Sequence, residues 1–147
     1  MKQSALLLLG IVSGGMITLQ SVLNANLGKR AGTLGSVLLL TLVSIGALVI
    51  LVLVFPKTAN WQDIPGISEW HLYIGGVLGV MILAAPIFLV PQIGATATLA
   101  AVVVGQLVFA IVIDHFGLFG VVIQTIDIWR ISGVVLLILG VIFVSKK

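Results

Sequence analysis

Apolar residues run through this chain in long blocks, with no period-two alternation and no single apolar stripe. The blocks lie at about 5–27, 34–55, 72–90, 95–113 and 129–144. Each is close to the roughly 20 residues that cross a bilayer as a helix. Helices that are apolar on every side belong in lipid or in a large core, and a membrane barrel needs an alternation that is missing here. The pattern predicts an all-α integral membrane protein, a single domain of five transmembrane helices over residues 1–147. The first block starts like a signal sequence, with Lys2 ahead of a leucine run. A signal core spans roughly 7–15 residues and ends at a small-residue cleavage site. Here Gly14-Gly15 opens more apolar sequence, so the block reads as a retained span.

The interruptions are short. Lys29-Arg30-Ala-Gly-Thr predicts a polar turn, and the longest polar stretch is 57–71, with Pro65-Gly66 as a turn signal. Pro86 is expected to kink the third helix and Pro91 to end it. Asp114-His115-Phe-Gly117 follows the fourth block, and Lys146-Lys147 closes the fifth.

Composition narrows the function. Of 147 residues, 61% are hydrophobic and 7% charged, whereas a soluble domain is about half apolar and a quarter charged. That excludes a soluble fold and a disordered chain, and five spans leave no room for a catalytic domain. The chain has no cysteine, which removes disulfides, iron–sulfur clusters and thiol nucleophiles. Its histidines, His71 and His115, both fall at segment ends, and no catalytic triad or metal-ligand cluster can be assembled. No enzyme activity, metal or cofactor is expected. The basic residues form only doublets, so nucleic acid is not an expected partner, and the lipid bilayer is.

With five spans, Lys2, Lys57 and Arg130 share one side of the membrane, and Lys29, Arg30, Lys146 and Lys147 share the other. The near-even split gives little orientation by the positive-inside rule. It is compatible with chance, or with copies inserted both ways. Trp61, Trp70 and Trp129 all fall on the first side and suit one interfacial belt.

The first helix carries the clearest polar face. At 100° per residue, Ser13, Gln20 and Asn24 fall within roughly 40° of one another, flanked by Thr18 and Ser21. Such a face must look at protein or water. Interhelical hydrogen bonding is one reading, and substrate binding through two long amides one turn apart is the other. Gly10 and Gly14, and Gly75, Gly76 and Gly79, are candidate helix-packing surfaces. Gln106 lies mid-helix in the fourth segment, about 80° from Asp114. If that helix ends at Ile113, Asp114 is an interfacial cap near Arg130 or His115. If it runs on to Phe119, Asp114 lies in the membrane and is a functional group by default. Asp127 and Arg130 stand three apart and are candidates to pair.

Several stretches together resemble a known family: Gln20-Ser-Val-Leu-Asn24-Ala-Asn-Leu-Gly28, Trp70 to Gly79, Pro91-Gln-Ile-Gly94-Ala, Gly105-Gln106, Asp114-His-Phe-Gly117, Arg130-Ile-Ser-Gly133 and Gly140. In order and spacing they resemble the YdcZ-like family of the drug/metabolite transporter superfamily. The resemblance implies a five-helix half-transporter in a bacterial inner membrane. It also implies a partner, either an inverted copy of the chain or a homologous opposite half, with small-molecule substrate held between the halves. An antiparallel homodimer is the favoured expectation. Gln20 and Asn24, helped by Ser13 and Gln106, would bind substrate, and Asp114 would couple or gate. One departure stands out. Small multidrug exporters of the superfamily use a membrane glutamate in the first helix, and amides take its place here. A dual-topology channel and a non-transporting membrane subunit are the alternatives.

Overall fold

A computed structural model describes residues 3–146. Lys2 and Lys147, which enter the charge split above, lie outside the described residues. The described residues are helical, with α1 at Gln3–Val54, α2 at Ile74–Ile93, α3 at Ala95–Phe116 and α4 at Ile128–Ser145, and no strands among them. Short 3-10 turns occupy Pro56–Thr58, Ile67–Tyr73 and Leu118–Gly120. Four of these helices are long and apolar enough to cross a membrane.

The first two expected spans are joined in α1, a helix of 52 residues. A straight helix of that length runs about 78 Å, more than twice a hydrocarbon core of roughly 30 Å. The helical path is broken inside it at Gly32, with φ 72° and ψ 165°. Only glycine adopts that region readily. The expected polar turn at Lys29-Arg30 is therefore helical up to Ala31, and the break falls on one residue.

Pro91 does not end α2. The helix runs through Pro86 and Pro91 to Ile93 and stops at Gly94, with φ 82° and ψ 161°. Proline removes one hydrogen bond but keeps a helical φ, and membrane helices tolerate that loss. A glycine outside helical φ/ψ is the stronger terminator. Likewise α3 passes the expected end at Ile113 and reaches Phe116, where Gly117 caps it in the left-handed region.

The chain forms two compact units, Met1–Val90 and Pro91–Lys147. In the first unit the buried residues are Ser21, Asn24, Ala25, Ser36, Val37 and Ile87, which cluster around the middle of α1. Gly28 is why α2 comes this close: a Cβ there would lie 2.4 Å from Ile87 Cγ2. In the second unit α3 packs on α4. Most other apolar side chains are exposed, as helices that meet hydrocarbon on their outer faces require. Trp61, Trp70 and Trp129 are exposed too.

Candidate functional site

The polar residues of α1 separate into two kinds. Ser13 and Thr18 are exposed, and each hydroxyl donates to the carbonyl four residues back, at 2.9 Å to Leu9 and 3.0 Å to Gly14. Gln20 is exposed as well. Ser21 and Asn24 are buried, and Asn24 is only 6% exposed. No side-chain hydrogen bond is made by Asn24 or Ser21 among the described residues, whereas Ser13, Thr18, Ser36 and Thr41 of the same helix each make one. The little exposure that Asn24 keeps includes its amide, which is open to a partner from outside the chain. It is therefore the group in the first unit best prepared to accept a polar ligand. The angular reading of the sequence grouped Ser13, Gln20 and Asn24, but burial singles out Asn24 and Ser21.

The packing glycines divide differently from the expectation. A Cβ at Gly10, Gly14, Gly75, Gly76 or Gly79 would meet nothing within 4 Å, so none is at a close approach inside this chain. Gly28 is the close contact. Its signal in the sequence was spacing, one helical turn beyond Asn24.

The second unit holds the charged groups. Asp114 sits in the last turn of α3, and its Oδ2 lies 3.4 Å from the Arg130 guanidinium at the start of α4. Arg130 also donates to the Gln124 side chain, whose backbone N–H in turn donates to the Asp114 carbonyl at 2.9 Å. Asp127 does not pair with the guanidinium. Its carboxylate accepts the Arg130 backbone N–H at 2.8 Å and so caps α4. The side-chain pairing expected from i, i+3 spacing is replaced by a cap, because Asp127 precedes the helix in an extended conformation. Gln124 is the residue of this cluster that sequence reasoning missed, since loop residues carry no periodicity. His115 stacks edge-on against Phe116 with ring centroids 4.9 Å apart, and its Nδ1 is buried without a partner.

Gln106 is exposed in mid-α3 and makes no side-chain hydrogen bond among the described residues. A groove of about 250 Å³ between α3 and α4 is wholly apolar, with Val108, Val112, Ile131 and Val135 in its wall. It offers nothing to orient a polar molecule. No group of three or more His, Cys, Asp or Glu able to hold a metal exists among the described residues.

Four helices long and apolar enough to span, with their outer faces exposed and the charged groups gathered at helix ends, define a multi-pass membrane protein. A family described as "Putative inner membrane exporter, YdcZ" matches residues 5–143. The chain belongs to that family. It is 28% identical to the Inner membrane protein YdcZ of Escherichia coli (strain K12), over all of this chain and 99% of that protein. No solved structure matches. The protein is accordingly an inner-membrane protein of a family of exporters.

Proposed function

We propose that the chain is half of a secondary transporter that moves a small polar or amphipathic metabolite by alternating access. In this reading α1 crosses the membrane twice, bending at Gly32, so that the chain makes five crossings. An odd number of crossings lets an inverted second copy supply the opposite half. The glycines at 10, 14, 75 and 76, which are exposed, and the half-buried Gly79 all leave space open within one chain and suit contact with that copy.

The observation that carries the reading is Asn24, buried in the first unit and without a side-chain partner. It binds substrate together with Gln20, assisted by Ser13 and Gln106. Asp114, held by Arg130, gates or couples the cycle. The test is flux into proteoliposomes across a metabolite panel. Saturable uptake that Asn24→Ala and Gln20→Ala lower by tenfold or more supports the assignment. Wild-type flux in both variants removes it. Ion currents that do not saturate point instead to a channel, and no flux for any compound points to a structural subunit.

A further inference from the structure

Gly32 and Gly94 carry nearly the same backbone conformation, φ 72° and ψ 165° against φ 82° and ψ 161°. Each ends one helix and begins the next with no residue between. Four residues beyond each stands a hydroxyl, Ser36 and Thr98. Each is 0% exposed, and these are the fully buried side chains among the described residues. Each donates to the carbonyl of its own glycine, Ser36 at 2.7 Å and Thr98 at 2.8 Å. The helix that follows ends 22 residues after the glycine in both places, at Val54 and at Phe116. The local sequences, Gly-Thr-Leu-Gly-Ser and Gly-Ala-Thr-Ala-Thr, share small residues and a final hydroxyl, with glycine as the one identity.

The agreement has a physical basis. The Gly94 carbonyl already takes the first bond of α3, from the Thr98 N–H at 3.2 Å, and the Thr98 hydroxyl adds a second bond to the same oxygen, so the joint's carbonyl is held twice. Burying that hydroxyl completely fixes its rotamer, which fixes the glycine ψ. A glycine alone is a loose joint, whereas a glycine whose carbonyl is held by a buried hydroxyl is a set one.

We propose that Gly32 and Gly94 are two copies of one joint, repeated 62 residues apart, and that Ser36 and Thr98 are its positioning residues. The chain is then a duplicated helix–joint–helix module followed by an unrepeated helix, α4. The proposal deepens the transport reading and rests on it in one respect. Asn24 lies eight residues before the first joint and Gln106 twelve beyond the second, so each joint aims a helix that bears a substrate residue.

The cysteine-free chain allows a direct test in detergent or nanodiscs. Spin labels are placed at Leu19 and Ile45 across the first joint, and at Met81 and Leu107 across the second. All four positions are exposed and the two pairs are in the same register. An unbroken helix would hold each pair about 39 Å apart. One shared joint geometry predicts matching distance distributions, both clear of that value. Gly32→Ala should move the first pair and Gly94→Ala the second. Ser36→Ala and Thr98→Val should broaden the distribution of their own pair at least twofold, and Ser36→Thr and Thr98→Ser should restore it. Unlike distances in the two pairs, or distributions indifferent to the glycine or hydroxyl variants, would overturn the proposal. Because no substrate enters the measurement, its result is independent of whether transport is found.

Discussion

Gly28 and Ile87 approach so closely that the missing glycine side chain is itself the contact surface: a Cβ there would lie 2.4 Å from Ile87 Cγ2. Ile87 is buried by that approach, and Asn24 and Ala25 are buried on the same stretch of α1. In lipid such packing replaces hydrophobic burial as the force that joins helices. Gly28→Ala should destabilise by about 1–3 kcal/mol through overpacking, and Ile87→Ala by about 2–5 kcal/mol through a cavity. Combined, they should cost well below the sum, because the alanine at 87 has no Cγ2 to clash. Thermal unfolding of the four proteins in detergent reads this coupling, and strict additivity would show that the two residues do not determine each other.

Arg130 joins three parts of the second unit by its guanidinium and backbone: Asp114 on α3, Gln124 in the loop and Asp127 at the α4 cap. Asp114 and Arg130 side chains are about 30% exposed, so the ion pair itself is worth about 1 kcal/mol or less. Arg130→Ala should therefore lower stability modestly. If Asp114 gates transport, the same variant should reduce flux far more than it reduces the melting temperature. Exchanging the charges, with Asp114→Arg and Arg130→Asp together, should recover stability better than flux. Flux that follows stability in every variant would assign the pair to structure alone.

The α4 cap makes a separate prediction. Asp127→Ala removes the acceptor for the Arg130 N–H, and caps of this kind contribute about 0.5–2 kcal/mol. Asp127→Ser should keep most of it. Hydrogen exchange at the first α4 amides should speed up in the alanine variant and stay near wild type in the serine one.

The paired-halves reading predicts that Gly10→Leu with Gly14→Leu lowers the dimer fraction without unfolding the chain, since space is open at both positions within one copy. Size-exclusion chromatography with light scattering reports the fraction. Single cysteines near each terminus should be labelled from both membrane faces if copies insert both ways. One-sided labelling would leave a fixed topology and a different partner.

Most of the fold was legible in the sequence, because in a membrane chain hydropathy alone separates what enters lipid from what cannot. The blocks at 72–90, 95–113 and 129–144 match α2, α3 and α4 to within three residues. The exceptions have a common cause. Pro91 reads as a stop and is passed, while Gly94 is the stop. Lys29-Arg30 reads as a turn and is helical, while Gly32 is the break. Residue type gives propensity, but the backbone turns where glycine permits dihedrals that other residues resist.

The candidate site was less legible. Helical periodicity placed Ser13, Gln20 and Asn24 on one face, and periodicity carries no depth. By itself the sequence determined that this is a multi-span membrane protein, poor in charge and without cysteine. Only the tertiary structure decided which polar groups are enclosed. It put Asn24 in the interior and Gln20 outside, gave Arg130 to Asp114 and not to the Asp127 carboxylate, and buried Ser36 and Thr98 completely. Those outcomes depend on which helix face meets a neighbour. That is settled by close contacts such as Gly28 on Ile87, between residues 59 positions apart, which no local pattern encodes.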